Sequence, residues 1–454
     1  MFEKYASSLF GIVCRQPLGW LTVALIFVHQ AIIASSSLFL VMVIERFQGK
    51  QDYVQPLILY FMSMALPFVP GCLSFLVLQY WTNRAHLTWL NALRRELSLR
   101  TDLIRSSDLA RTVEGASSRN SFSIISGLTG FVHDFLSFLL NSLLSMIVIG
   151  FLLPNSLLLG YLVSFIASAV LILMMTAAIQ RNAADAENKN IAYGDVLSKI
   201  WSNLVCGNRY NALRWDEQRD TLGDGYYNAT QRLVLLQQAG NLALGLVALL
   251  PTMYVIYQVA VAPEIQAGVI AATIVNLTRI FHILNSLGSL VSQFLSLGSV
   301  MSRVRVLDSI LEQVGGKAQL PTTAVATITA NGVPVDSYDD FLKEVMAARS
   351  GRFTVNGANG SGKSTLLAYL KNALGSDAFL LPAGGGDLVW KGVFENLSTG
   401  QKLSGMLAEI VGLADARVLL LDEWDANLDQ ANARNIDDAL HAFSIDRVVV
   451  EVRH

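Results

Sequence analysis

Five long stretches of this sequence carry almost no charge, and each is long enough to cross a lipid bilayer. A membrane-spanning helix needs about 20 consecutive apolar residues. The stretches are Gln16–Ile44, Tyr53–Asn83, Phe135–Gln180, Leu233–Pro263 and Ile265–Ser302. Arg279 is the only charged residue in the last of them. These runs predict an α-helical transmembrane domain.

The third stretch is roughly twice as long as one span requires, and Pro154 and Asn155 interrupt it. We therefore interpret it as two helices with a tight turn between them, which makes six predicted spans. They cover about 16–44, 53–83, 122–153, 155–180, 233–263 and 265–302. The composition agrees, because 53% of the 454 residues are hydrophobic and only 15% are charged, which is typical of a membrane protein with a soluble appendage.

Positive charge is distributed unevenly between the predicted spans. Segments 84–120 and 181–232 are both rich in Lys and Arg, whereas the loops on the other side contain only Arg46 and Lys50. Because positively charged loops stay in the cytoplasm, we predict an inner-membrane protein whose termini and two long loops are cytoplasmic. Residues 1–15 predict an amphipathic helix on the inner membrane surface rather than a cleaved signal peptide.

Net charge and cysteine spacing indicate no other class of protein. The formal net charge is −2 and no basic run is present, so we expect no nucleic-acid partner. The cysteines, Cys14, Cys72 and Cys206, lie far apart, and their spacing matches neither a disulfide framework nor a metal site.

Residues 322–454 predict a compact α/β domain after a linker that ends at Pro321. Strand-like runs alternate with helical segments there, which indicates a mostly parallel sheet. The predicted strands are Ala324–Thr329, Phe353–Val355, Val418–Leu421 and Arg447–Val452. The predicted membrane domain covers residues 1–314.

The segment GANGSGKST, residues 357–365, matches the pattern of a phosphate-binding loop. Glycines let successive backbone N–H groups turn toward a phosphate, the lysine supplies a positive charge, and the serine hydroxyl binds Mg²⁺. A predicted strand precedes the loop and a predicted helix follows it, as this chemistry requires. The predicted nucleotide-binding residues are Gly357, Asn359, Gly360, Ser361, Gly362, Lys363, Ser364 and Thr365.

Two further motifs follow in the same domain. The run VLLLDE predicts a buried strand that ends in Asp422, placed to hold Mg²⁺, and Glu423, placed to orient or deprotonate a water molecule. The run LSTGQ, residues 397–401, opens a predicted helix whose first amides can bind a phosphate. Its candidate ligands are Ser398, Gly400 and Gln401.

These motifs, followed by Asn427-Leu428-Asp429, occur in the order found in ATP-binding cassette (ABC) transporters. With the six spans, the whole chain resembles the exporter type that fuses membrane and nucleotide-binding domains. The resemblance implies ATP and Mg²⁺ as ligands and a head-to-tail dimer that holds ATP between the phosphate loop of one copy and LSTGQ of the other. At Trp424 and at the threonine of LSTGQ, the sequence resembles that of the subgroup that exports cyclic peptides and siderophores.

The resemblance also assigns roles to single residues. It implies that Asp422 is associated with the metal, that Glu423 is the catalytic carboxylate, and that His454 senses the γ-phosphate. Asp429 lies in the loop that links the two sites, and cytoplasmic tips near 105–115 and 205–215 correspond to coupling helices. Tyr338 is the candidate aromatic residue for stacking on adenine.

The chain departs from the family between the phosphate loop and LSTGQ. The family has a helical subdomain there, preceded by a loop with a glutamine, whereas residues 366–396 are few and contain no Gln. This departure predicts a shortened nucleotide-binding domain and leaves open how the two domains are coupled.

Polar residues inside the predicted spans indicate where a substrate binds. Asn276, Arg279 and His282 share one face of the sixth span, because they are three residues apart. Charged side chains in a membrane are costly unless they face water or a partner. We predict a partly cationic cavity that also includes His29 and Gln30. The alternatives are hydrogen bonding between helices and an ion pair of Arg279 with an acid such as Asp134.

The sequence therefore predicts an ATP-driven exporter of a peptide-like or other amphipathic small-molecule substrate. Its expected partners are a second copy of itself or a paralogous half-transporter, and membrane lipids. Two alternatives stay open: a lipid flippase, and a weakly hydrolytic nucleotide-binding protein that acts as a regulator or as half of a heterodimer.

Overall fold

The computed structural model describes residues 8–98, 100–104, 106–152, 155–261, 286, 289–290, 293, 296–298, 300–316, 322–323, 326–383, 388–392, 397–411, 416–425, 428 and 430–453. The chain divides into two compact units. The first contains Met1–Leu90 and Ala116–Ser309, and the second contains Asn91–Gly115 and Ile310–His454. A segment from the helical region therefore belongs to the same unit as the α/β domain.

Helices build the first unit and one segment of the second. They are α1 (Leu9–Cys14), α2 (Pro17–Gln48), α3 (Val54–Ala65), α4 (Phe68–Leu97), α5 (Ser107–Gly115), α6 (Ser121–Leu152), α7 (Asn155–Ser198) and α8 (Arg209–Val261), of which the end of α4 and all of α5 lie in the second unit. Residues 300–315, here α9, are also helical and continue into the second unit.

Helix α1 confirms that residues 9–14 are helical, and three of its apolar side chains are buried within the protein. Leu9 and Val13 are almost fully buried. The backbone N–H of Leu9 donates to Asp308 Oδ1 over 2.7 Å, and Trp81 Nε1 donates to the carbonyl of Val13 over 3.0 Å. These long-range contacts tie α1 to α4 and α9, which a local sequence pattern does not show.

Four helical stretches in the described part of the chain are long and apolar enough to cross a membrane. They are Pro17–Gln48, Val54–Leu97, Ser121–Val148 and Ile166–Cys206. The predicted second span is divided into α3 and α4 just before Phe68, because Pro67 lacks the N–H that a continuous helix needs. The predicted fifth span forms the end of α8, and most of the predicted sixth lies outside the described residues, so the count of six stays a prediction.

Helices α7 and α8 contain 44 and 53 residues. At 1.5 Å per residue they are about 66 and 80 Å long, roughly twice the thickness of a bilayer core or more. They pack side by side, with Ile179 and Leu244 buried between them and Trp215 Nε1 donating to the carbonyl of Val196 over 2.8 Å. Each helix is therefore longer than a crossing of the bilayer core requires.

The second unit contains a six-stranded sheet. Its strands are β1 (Ile328–Ala330), β2 (Val333–Pro334), β3 (Gly351–Gly357), β4 (Ala378–Leu381), β5 (Val418–Asp422) and β6 (Val448–Val452), in the order β2-β1-β3-β6-β5-β4. β3, β6, β5 and β4 are parallel, and β1 pairs antiparallel with both its neighbours. This arrangement confirms the predicted mostly parallel sheet, to which β2 and β4 are additions.

Helices cover both faces of this sheet. They are α10 (Tyr338–Ala347), α11 (Lys363–Leu374), α12 (Thr399–Val411) and α13 (Gln430–Ser444). Alternate residues of a strand point to opposite faces. Accordingly Val418 and Leu420 pack with α10 and α11, whereas Leu419 and Leu421 pack with α12 and α13. The loops at the ends of β3 and β5 carry the predicted site.

Candidate nucleotide-binding site

The loop between β3 and α11 has a backbone that glycine alone adopts without strain at two positions. Gly360 and Gly362 have φ angles of 80° and 109°, in the left-handed region that residues with a side chain rarely adopt. A Cβ atom on Gly357 would lie 2.8 Å from Ser361 Oγ. The loop is therefore a close-packed turn, and α11 begins directly after it at Lys363.

The lysine at the end of this loop is buried and turned toward it. Lys363 is only 8% exposed, and its Nζ donates to the carbonyls of Gly357 over 2.8 Å and Ala358 over 3.2 Å. Ser361 is also buried, and its Oγ has no hydrogen-bond partner among the described residues. A buried ammonium and an unsatisfied buried hydroxyl beside a helix N-terminus fit a bound phosphate group.

Ser364 and Asp422 come together from the start of α11 and the end of β5. Ser364 Oγ donates to Asp422 Oδ1 over 3.2 Å. Burial raises the pKa of the Asp422 carboxyl, as does the charge of Glu423, while the Ser364 hydroxyl and the Lys363 ammonium oppose the shift. A hydroxyl beside a carboxylate is a donor set suited to Mg²⁺, and a bound cation would stabilise the ionised form of Asp422.

Glu423 has an unusual backbone conformation. Its φ angle is 44°, one of three positive values among the described residues other than glycine. A residue with a side chain in this region typically costs on the order of 1–3 kcal/mol, so surrounding contacts must hold it there. One such contact is the backbone N–H of Glu423, which donates to the carbonyl of Val452 on β6 over 3.0 Å.

A second set of contacts holds Trp424, the residue after Glu423. Trp424 Nε1 donates to Glu451 Oε2 over 2.9 Å, and the guanidinium of Arg453 lies 5.4 Å from the centre of an indole ring of Trp424. Sequence reasoning placed Glu451 in an apolar strand and did not identify it. The available signal is a single acid within VVVEV together with an arginine in the run RFTV, which forms the neighbouring strand.

The LSTGQ segment forms the N-terminal cap of α12. The N–H of Ser398 donates to Gln401 Oε1 over 3.2 Å, and the N–H of Gln401 donates to Ser398 Oγ over 3.4 Å. This reciprocal pattern is a capping box. A Cβ atom on Gly400 would lie 2.7 Å from the side-chain amide of Asn432, so α12 and α13 approach closely at this glycine.

The structure argues against the predicted role of Tyr338 in stacking on adenine. The ring is 1% exposed and lies within the apolar core, where it contacts Tyr369. Its hydroxyl donates to the carbonyl of Gly362 over 3.1 Å. Tyr338 therefore supports the glycine loop from inside and presents no open face to a base.

Several predicted residues lie outside the described part of the chain: Asp429 and His454 in the α/β domain, and Asn276, Arg279 and His282 in the sixth predicted span. Asn359 and Thr365 are described, the first exposed on the loop and the second buried in α11. The three cysteines are free.

The two predicted cavity residues in α2 have different surroundings. His29 Nδ1 donates to the carbonyl of Pro67 over 2.7 Å, at the break between α3 and α4. This contact is the hydrogen bond between helices that the sequence left open as an alternative. Gln30 is 8% exposed, and its Oε1 has no hydrogen-bond partner within the described residues.

The class of protein follows from these two units. Apolar helices of membrane-spanning length precede an α/β domain with a glycine loop between a strand and a helix. No protein-family model and no curated protein matches the sequence.

Among solved structures, the chain is similar to a bacterial Atm1-family ABC exporter with ATP bound. The sequence identity is 14%, the TM-score is 0.61, and the match covers 96% of this chain and 90% of the other. The chain therefore has the fold of an ABC exporter in which the membrane domain and the nucleotide-binding domain are fused.

Proposed function

We propose that this chain is an ATP-driven exporter of the inner membrane. It works as a homodimer, or with a paralogous half-transporter, and its termini and ATP-binding domain are cytoplasmic. The observation that supports this most directly is the junction of β3 and α11. There the Lys363 ammonium lies on the glycine loop and Ser364 lies 3.2 Å from Asp422.

ATP binding in this proposal uses groups that are already gathered at the loop. Lys363 exchanges its loop carbonyls for phosphate oxygens, and the amides at the start of α11 contribute further donors. Ser364 and Asp422 hold Mg²⁺, which neutralises phosphate charge when bound. These residues accordingly bind and orient the nucleotide.

Glu423 is the proposed base for hydrolysis. Its position directly after Asp422 places a carboxylate at the same end of β5, where it can orient a water molecule and accept its proton. His454 is the proposed sensor of the γ-phosphate.

A second copy of the chain supplies the other half of the proposed site. LSTGQ and Asp429 of one copy face the phosphate loop of the other, as the resemblance implies. The segment between α7 and α8, with the start of α8, supports a protein partner, because it exposes a group of large apolar side chains that water disfavours. They are Ile200, Trp201, Leu204, Val205, Tyr210 and Leu213.

ATP then drives transport by favouring one of two conformations. Two bound nucleotides supply contacts that exist only in the closed dimer, and hydrolysis removes them. The proposed substrate is peptide-like or amphipathic and carries an acidic group that Arg279 and His282 recognise. If Arg279→Ala and His282→Ala leave substrate-stimulated ATPase activity and transport unchanged, the hypothesis that these residues line the substrate cavity is wrong.

A weakly hydrolytic regulator is a second candidate, favoured by the few residues between the glycine loop and LSTGQ and by their lack of glutamine. A lipid flippase is a third, and it differs in that lipid stimulates its ATPase activity. The deciding experiment measures steady-state ATPase activity of the purified protein in lipid nanodiscs beside Glu423→Gln. Turnover that the substitution abolishes supports the exporter; bound nucleotide without turnover in either protein supports the regulator or a missing partner chain.

A further inference from the structure

Glu451 is a buried carboxylate on the sheet face that packs against α12 and α13. It is fully buried and follows Val449 by two residues on β6, so both side chains point to the same face of the sheet. Val449 belongs to the apolar cluster formed with α12 and α13. A buried charge is costly unless it is paired and hydrogen-bonded, so a carboxylate at this position requires charged or hydrogen-bonding partners.

Four side chains satisfy this carboxylate. Arg352 donates from Nε to Oε1 over 2.9 Å and from Nη2 to Oε2 over 2.8 Å. Thr354 Oγ1 donates over 3.0 Å, as does Arg453 Nε, and Trp424 Nε1 donates over 2.9 Å. Asp437 on α13 also binds both arginines and so shares their charge.

Of these partners, Trp424 is adjacent in sequence to the residue proposed for hydrolysis. It follows Glu423, whose left-handed backbone needs outside support. β6 provides that support at two consecutive residues: the Val452 carbonyl accepts from the N–H of Glu423, and Glu451 accepts from the indole of Trp424. The Trp424 side chain is 7% exposed, so the indole is enclosed as well as bonded.

We propose that Glu451 is a positioning residue for ATP hydrolysis, which acts by holding Trp424 and thereby the backbone of Glu423 in its catalytic conformation. This inference rests on the proposed function of Glu423. It assigns to Glu451 no contact with nucleotide. The ion pair with Arg352 holds the Glu451 carboxylate in place. The hydrogen bond from the indole then restrains Trp424, and with it the backbone of Glu423.

The chain offers a matched pair of substitutions to test this role. Trp424→Phe removes the indole N–H and keeps an aromatic ring. Thr354→Val removes a different hydrogen bond to the same carboxylate. The two bonds are 3.0 and 2.9 Å long, and this substitution leaves Trp424 and Glu423 unchanged. A merely structural role of the network predicts similar effects on activity from both variants, whereas positioning predicts an effect from Trp424→Phe alone.

The experiment measures kcat, KM for MgATP and thermal unfolding of the full-length protein in nanodiscs. We expect Trp424→Phe to lower kcat by about tenfold to a hundredfold, since small displacements of catalytic groups have effects of this size, with KM within about twofold. Thr354→Val keeps both constants within about twofold. Glu451→Gln combined with Trp424→Phe is expected to lower kcat no further than Trp424→Phe does, because both act through one contact.

Fluorine NMR of protein labelled with 5-fluorotryptophan provides a second readout, in which Trp424→Phe identifies the Trp424 signal. Glu451→Gln should shift that signal and Thr354→Val should leave it in place. Unchanged kcat in Trp424→Phe, or equal losses in Trp424→Phe and Thr354→Val, overturns the positioning role and leaves the exporter intact. A wild-type protein that by itself hydrolyses no ATP overturns the proposed homodimeric exporter, and the positioning role with it.

Discussion

The hydroxyl of Thr101 donates a hydrogen bond to Asn372 Oδ1 over 2.7 Å and joins residues 271 positions apart in the chain. Thr101 lies in a 3-10 turn after α4, and Asn372 lies in the last turn of α11, the helix that begins at Lys363. Within the same unit, Arg100 pairs with Asp102 and donates to the carbonyls of Val314 and Gly316 at the end of α9. The turn therefore binds the helix of the nucleotide site on one side and the end of α9 on the other.

Thr101→Val tests whether this contact orders the turn. The substitution keeps the shape of the side chain and removes the donor, so we expect faster amide hydrogen exchange in residues 100–104 and at the end of α11. Thr112→Val is the control, because the Thr112 hydroxyl bonds only locally, to the carbonyl of Asp108 in α5. Equal exchange in wild type and Thr101→Val would show that the bond does not order this turn.

Ser364→Ala should raise the Mg²⁺ concentration needed for half-maximal ATPase activity by about tenfold or more, because it removes a proposed ligand of the ion. Titration of Mg²⁺ at fixed ATP measures the effect. Ser404→Ala, on the exposed side of α12, should leave the requirement unchanged. Glu423→Gln should retain Mg²⁺-dependent ATP binding while it loses turnover; an unchanged Mg²⁺ requirement in Ser364→Ala counts against the proposed ligand.

The Glu451–Arg352 pair predicts a pH dependence of stability. Burial by itself would raise the pKa of Glu451, but bonds to Arg352, Trp424 and the charge of Arg453 outweigh it and hold the pKa below its usual range. A lowered pKa in the folded state stabilises the protein above the unfolded-state value of about 4.3, and this stabilisation is lost as pH falls through the folded-state pKa.

Glu451→Gln imitates the protonated acid and provides the comparison for that prediction. At pH 7 the free energy of unfolding of the wild type should exceed that of Glu451→Gln by on the order of 1–3 kcal/mol, because the substitution replaces a charged acceptor of hydrogen bonds from two arginines with a neutral one. Denaturation measured between pH 7 and pH 3.5 should show this difference shrinking below pH 4.3 or so. A difference that stays constant across this range would mean that the charge of Glu451 is not its cause.

Gly400→Ala should destabilise the nucleotide-binding unit by about 1–3 kcal/mol, because overpacking a close contact displaces backbone or side chains. The added Cβ atom would lie 2.7 Å from the amide group of Asn432. Thermal unfolding measures the loss, and Asn432→Ala in the same chain should recover part of it by removing that amide. If the double variant is less stable than Gly400→Ala, the two residues do not clash in this way.

The strongest predictions from sequence concern features that are local in the chain. The glycine loop, the start of the helix at LSTGQ and the strand that ends at Asp422 each depend on a few consecutive residues, and the structure shows each as the expected element. Within the described residues, the apolar runs form helices as predicted, although Pro67 divides one of them. The resemblance in motif order agrees with the observed exporter fold.

The sequence could not predict features that depend on pairing between distant segments. Tyr338 is an aromatic residue of the kind that stacks on bases, but α10 packs on the sheet and buries it. β4 consists of four residues in an unremarkable apolar run, and it becomes a strand because β5 pairs with it. The buried acid in VVVEV looks like an interruption until Arg352 and Trp424 are seen around it.

The sequence by itself determined the membrane-spanning composition, the loop that fits phosphate and the acids at the end of β5, because backbone conformation and charge act over neighbouring residues. Only the tertiary structure decided that Glu451 contacts Trp424, that Thr101 contacts Asn372 and that Tyr338 is buried. Each of these contacts joins residues tens or hundreds of positions apart, and their geometry arises from sheet register and helix packing, which local patterns do not specify.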